Sequence, residues 1–140
     1  MNAKESPIFV KLFDFVAWVI PLTTKFPREQ RFVVAERLQR VALGAHEAAI
    51  RAGMQSTPQA ILAQLDEVAV HLALTRFYLR LAQRFTFITV KQYEYATDCL
   101  IEIGRLLRAW QRSSQPRGAM CETGAQPALS SVAIPGAVTL

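Results

Sequence analysis

The sequence predicts an all-α protein, an antiparallel up-down-up-down four-helix bundle, and three observations carry that prediction. Apolar residues recur every three or four positions through four long stretches, the spacing of one helix face. Short segments containing Ser, Thr, Pro or Gly punctuate these stretches at 6–7, 25–27, 53–58 and 86–89. With such short connections between long helices, consecutive helices must run antiparallel.

The first helix is predicted over 8–25, with Ser6 as cap and Pro7 in the first turn. Phe9, Leu12, Phe13, Val16, Val19 and Ile20 make a broad apolar face that Phe15 and Trp18 widen. Pro21 removes a backbone donor, so a kink is expected there and not a new element. The apolar run 8–22 reads as this helix and not as an export signal or membrane anchor. Lys11 and Asp14 interrupt it, and it falls short of the roughly 20 residues that span a bilayer.

Lys25-Phe26-Pro27 breaks the pattern, because a residue before proline is pushed out of helical geometry. The second helix is predicted over 28–52, with Phe32, Ala35, Leu38, Ala42, Ala45 and Ala49 inward. Its many alanines allow close helix approach, and Glu36–Arg40 and Glu47–Arg51 are i,i+4 pairs in the favourable order. Gly53 ends it.

The third helix, within 56–85, is the one around which the rest is organised. Ser56 or Thr57 can cap it, Pro58 fits its first turn, and Gln59 stands three residues after Ser56 as in a capping box. Ile61, Leu65, Val68, Leu72, Thr75, Leu79 and Ala82 form one stripe; Val70, Leu74, Phe77, Leu81 and Phe85 form a second on another side. Arg76, Arg80 and Arg84 follow at four-residue steps and stay within roughly 80° of one another. Two apolar stripes cannot both be covered inside one bundle. The second stripe, through Val70, Leu74, Phe77 and Leu81, is therefore expected to face another subunit of a homo-oligomer.

Thr86 to Ile88 is a tight connection, and Thr89 with Gln92 carries the capping-box signature of a fourth helix reaching about Arg112. Tyr93, Ala96, Leu100, Ile103, Leu107 and Trp110 make its stripe, while Arg105, Arg108 and Arg112 crowd the end that the helix dipole makes negative. The bundle domain is thus 1–112. From Ser113 the composition shifts to Ser, Gln, Pro, Gly and Ala without helical period, so 113–140 reads as a disordered or weakly ordered tail.

Composition narrows the function. The chain is 51% hydrophobic and 19% charged, apolar for 140 residues, which again favours self-association. Its formal charge is +5, and twelve of the sixteen basic side chains are arginine, which forks onto phosphate or carboxylate. Cys99 and Cys121 form no metal-ligand pattern and no disulfide framework, which fits a reducing, cytoplasmic setting. His46 and His71 read as core or interface histidines, and no Glu-x-x-His, HExxH, Gly-rich phosphate loop or nucleophile elbow occurs. No catalytic residue, metal or cofactor is therefore assigned.

The best functional candidate is the Arg76–Arg80–Arg84 row, set against a plain solvated face; repeated around an oligomer it would make a strong field for phosphates. Arg105, Arg108 and Arg112 form a second row that dipole compensation alone could explain, and Arg28 and Arg31 read as turn residues. Phe15, Trp18, Phe77, Tyr78 and Trp110 read as core or interface, not as base-stacking platforms.

Three segments together, SPIFVKLFDFVAWVIPLTTKFPREQRFVVAERLQ, LTRFYLRLAQRF and QYEYATDCLIEIGRLLRAW, resemble the accessory variability determinants of diversity-generating retroelements. That group is similar to the four-helix proteins encoded by intervening sequences of bacterial 23S ribosomal RNA genes. The resemblance covers about 5–112. Its most specific parts are the turn Lys25-Phe26-Pro27-Arg28-Glu29-Gln30-Arg31-Phe32 and the R-x-Y-L-R-L-A segment at 76–82. It implies a barrel-like homopentamer of four-helix bundles with a basic surface and no catalytic motif. It also implies a non-enzymatic accessory role: binding a reverse transcriptase and RNA or cDNA, without a membrane, in support of mutagenic retrohoming. The alternative is a bundle of the intervening-sequence type that contacts proteins only.

Overall fold

The protein, seen as a computed structural model, is described over residues 6–116. Four helices fill it: α1, Pro7–Thr23; α2, Glu36–Gly53; α3, Pro58–Arg84; and α4, Val90–Ser113. There is no strand among the described residues. α1 packs on α2, α2 on α3, α3 on α4 and α4 back on α1, a closed ring in chain order, with α2 and α3 in the most extensive contact. This is the predicted four-helix bundle. The polar lead at 1–5, Cys121 and the tail from 117 onward lie outside the described residues.

Each helix buries one heptad-like seam. On α1 it is Ile8, Leu12, Phe15, Val19 and Leu22, at alternating steps of four and three. The broad face expected on α1 is corrected here: Phe15 enters the core, and Phe13, two positions away and on the far side of the helix, is 65% exposed. α1 runs through Pro21 and stops at Thr23, whose hydroxyl donates to the Ile20 carbonyl and accepts from Gln39 Nε2 at 2.6 Å.

The second correction lies before α2. In place of one helix from Arg28, a 3₁₀ turn spans Arg28–Gln30 and a π turn spans Arg31–Ala35, where the Glu36 amide bonds back to the Arg31 carbonyl. A π turn inserts an extra residue into the register. Ala35 stays inward as expected, with Val34 buried beside it, but Phe32, expected inside, leaves the stripe set by Leu38, Ala42, Ala45 and Ala49 and is 71% exposed. Of the two expected pairs on α2, Arg40 and Glu36 meet at 3.0 Å. Glu47 and Arg51 do not.

Thr57, not Ser56, caps α3, accepting from the Ala60 amide at 3.1 Å. The core stripe of α3 is buried through Leu65, Val68, Thr75, Leu79 and Ala82, and the Thr75 hydroxyl is satisfied by the His71 carbonyl. α3 ends in a Schellman arrangement: the Phe87 amide reaches the Ala82 carbonyl and the Thr86 amide the Gln83 carbonyl, with Thr86 at φ 62°. The predicted capping box of α4 forms in both directions, Gln92 amide to Thr89 Oγ1 at 3.0 Å and Thr89 amide to Gln92 Oε1 at 2.9 Å. Ala96, Leu100, Ile103 and Leu107 are buried along the α4 seam.

The α2–α3 contact depends on small side chains. Ala42, Ala45, Ala48, Ala49 and Ala52 are buried on α2, and Gly44 lies against the ring of His71 on α3. A Cβ at Gly44 would clash with His71 Cδ2 and stand 2.5 Å from Nε2. Gly44→Ala gains about 1 kcal/mol of helix propensity but overpacks the seam by roughly 1–3 kcal/mol. Urea unfolding is expected to show net destabilisation by Gly44→Ala and none when the same change is made on a His71→Ala background.

Candidate nucleic-acid and assembly surface

The outer side of α3 is built by the mismatch between its two apolar rows. At about 100° per residue, the row Val70, Leu74, Phe77, Leu81 and Phe85 sits roughly 150° around the helix from the buried stripe. Val70, Leu74 and Phe77 are exposed, Phe77 by 52%, while Leu81 is half-buried. Arg76, Arg80 and Arg84 are all exposed and run alongside this strip, about 100° from its centre. The end of α3 therefore shows solvent an apolar ribbon edged by guanidinium groups.

The second arginine row does not join the first. α3 and α4 are antiparallel and meet at the 84–90 turn, so Arg108 lies about 20 Å along the bundle from Arg80 at 1.5 Å per residue. Arg105, Arg108 and Arg112 belong to the opposite end, where Trp110 packs on Phe9 of α1 at 5.8 Å between ring centroids. Arg105 is also engaged by Glu102 at 2.6 Å, an exposed pair of little energetic weight that still offsets its charge.

The first row shares its end of the bundle with the α1–α2 turn. Phe26 of that turn lies 5.4 Å from Phe87, and Phe87 lies 5.7 Å from Phe85, so the α1–α2 and α3–α4 turns are joined by aromatic packing. The turn carries Lys25, Arg28 and Arg31, and beside it opens a cleft of about 510 Å³ lined by Arg28, Arg31, Phe32, Thr24, Gln39 and Glu36, among others. Glu36 is occupied by Arg40 at 3.0 Å, whereas neither Arg28 nor Arg31 is in an ion pair among the described residues. Sequence reading treated Arg28 and Arg31 as turn residues only. Their signal was the Lys25–Phe32 motif itself, but nothing in its spacing announces the π turn that opens the cleft.

Other chemistry has little support. His71 Nδ1 donates to the Glu67 carbonyl at 2.8 Å, and His46 stands edge-on to Phe9 at 6.1 Å with Nδ1 buried and unpartnered. Tyr95 donates its phenol O–H to Cys99, which raises its pKa above the usual range. Among the described residues no cluster of three or more His, Cys, Asp or Glu side chains is placed to hold a metal ion, and no helix is long and apolar enough to cross a membrane.

Comparison with known proteins bears on the family and the fold. The bAvd-like family matches residues 8–114. A 1.70 Å crystal structure of a protein of unknown function from the S23 ribosomal protein family of Bacteroides thetaiotaomicron is similar, with a TM-score of 0.70. The two share 22% identity over 75% of this chain and 95% of that one, a likeness that carries the fold alone. No curated protein matches.

His46 also sets a pH dependence. Burial lowers its pKa below the ordinary value of about 6.5, opposed in part by the charge of Glu47. The unfolded chain then binds the proton more readily, so stability is complete above about pH 6.5 and declines as pH falls through that value towards the folded pKa. His46→Phe is expected to flatten this decline in thermal melts between about pH 7 and 5.

Proposed function

The chain belongs to the bAvd-like family, and on that premise we propose that it is a non-enzymatic adaptor of a diversity-generating retroelement. In this reading it binds the reverse transcriptase and holds template RNA or cDNA in the cytoplasm, in support of mutagenic retrohoming. The observation that carries the reading is the exposed Arg76–Arg80–Arg84 row beside an uncovered apolar ribbon. Guanidinium groups at helical spacing contact phosphates without reading bases, so the affinity is sequence-independent and falls steeply with salt. Arg105, Arg108 and Arg112 supply a second, weaker contact at the other end.

The ribbon of Val70, Leu74, Phe77 and Leu81 supports assembly into a homo-oligomer, a pentamer in this reading. It also favours a second reading, in which the bundle engages proteins alone. That reading is marked by a salt-insensitive complex with the polymerase and no RNA affinity.

Two outcomes test the proposal. Replacing Arg76, Arg80 and Arg84 together with alanine is expected to keep the helical circular dichroism while lowering the slope of log affinity against log salt for single-stranded RNA by about 2. Unchanged binding by this variant removes the row from the site. In light scattering, Phe77→Glu is expected to reduce the particle mass towards that of one chain, and an unchanged mass excludes the α3 ribbon from the interface.

A further inference from the structure

The cleft beside the α1–α2 turn is not accounted for by an electrostatic row on α3. It combines an exposed aromatic ring, two arginines without an ion pair and a side-chain amide, a set that the α3 row does not offer. Phe32, at 71%, is more exposed than Phe13, Phe77 or Phe85, and it is turned outward by a π turn, a rare element that recurs at functional sites. Arg28 and Arg31 line the same cleft without an ion pair, while its carboxylate, Glu36, is already engaged by Arg40. The Gln39 amide also lines it, anchored by one N–H to Thr23 at 2.6 Å, which leaves its second N–H and its carbonyl oxygen for another partner.

We propose that this cleft binds one unpaired nucleotide of a single-stranded nucleic acid, with the base stacked on Phe32 and the adjoining phosphate held by Arg28 and Arg31. The volume of about 510 Å³ suits a nucleotide-sized ligand. An aromatic ring stacks on any base, and guanidinium groups beside it hold the backbone, the pairing by which single strands are gripped without sequence preference. A duplex keeps its bases in the stack and cannot offer one to the ring. The cleft therefore discriminates between single and double strands, which the α3 row does not. The Thr23 and Thr24 hydroxyls donate to the Ile20 and Pro21 carbonyls, two of the last four of α1, so the wall next to the ligand is already fixed before binding.

The inference rests on the nucleic-acid reading above, and its test separates the two. The full chain is titrated by fluorescence anisotropy with a labelled oligoadenylate of about 12 nucleotides and with a blunt RNA duplex of the same length. Phe32→Ala is expected to weaken the single strand roughly 5- to 100-fold and leave the duplex unchanged, with Phe32→Trp restoring the affinity and Phe32→Leu failing to do so. Arg28→Gln with Arg31→Gln is expected to lower the single-strand salt slope by about 1.4. Circular dichroism and light scattering of Phe32→Ala are expected to match the wild type. Equal effects of Phe32→Ala on both nucleic acids, or none on either, overturn the nucleotide cleft while leaving the arginine row standing. A drop in particle mass, or loss of polymerase binding with RNA binding intact, assigns Phe32 to a protein contact and also overturns it. A wild type that binds neither nucleic acid overturns both readings.

Discussion

The approach of α2 to α3 constrains everything outside it. The inward side of α2 is mostly alanine, and Gly44 lets the His71 ring lie directly against the α2 backbone. Small side chains bring helix axes together, since interaxial distance is set by the residues at the contact. The interior must then be filled by the larger groups of the other helices: Leu12, Phe15 and Val19 from α1, Leu65, Val68 and Leu79 from α3, and Leu100, Ile103 and Leu107 from α4. Such a core absorbs one stripe of α3 and has no room for a second. The exposed ribbon on α3 is thus the outer consequence of a close inner seam, not an isolated feature of one helix.

Connectivity then decides where the charge goes. Because the ring is antiparallel, the last turns of α3 share an end of the bundle with the α1–α2 turn, and the last turns of α4 share the other end with the start of α1. Arginine rows that look equivalent in sequence consequently occupy different poles. Arg84 sits in the last turn of α3, where the dipole favours it, and needs no ligand to be stable there. Arg28 and Arg31 have no such explanation. They precede α2 in a 3₁₀ and a π turn, where the dipole of the helix that follows disfavours positive charge. Their position is more informative than that of the better-patterned rows.

Much of this was legible in the sequence because it is local. The Thr89–Gln92 box, Pro58 in the first turn of α3 and the 4–3 stripe of α3 are set by neighbours within one or two turns, and they appear as read; the Ser56–Gln59 box does not form, because Thr57 takes the cap. What failed depended on contacts beyond that range. Phe13 and Phe15 are both acceptable on an apolar helix, and only the direction of α2 and α4 selects Phe15 for the core. Phe32 was misplaced because a π turn has no reliable sequence signature, and a single extra residue shifts the side chains at its start off the stripe while Ala35 at its end stays on it. The cleft followed Phe32 into obscurity. The arginine row was visible as a pattern, but its separation from the α4 row became clear only once the helices had a direction.

In the adaptor reading, the ribbon and the row cannot act independently. Burying Val70, Leu74 and Phe77 against another subunit brings Arg76, Arg80 and Arg84 towards the guanidinium groups of neighbouring chains. Exposed like charges repel within about a Debye length, some 8–10 Å at physiological salt, so the contact that apolar burial favours is opposed by its own rim. A polyanion lying along the rows offsets that repulsion. Whatever binds the assembled form more tightly than the free subunit stabilises assembly by mass action, and the coupling is reciprocal. Phosphate binding and subunit association therefore strengthen one another on this surface, and salt weakens the nucleic-acid contact while easing the repulsion between subunits.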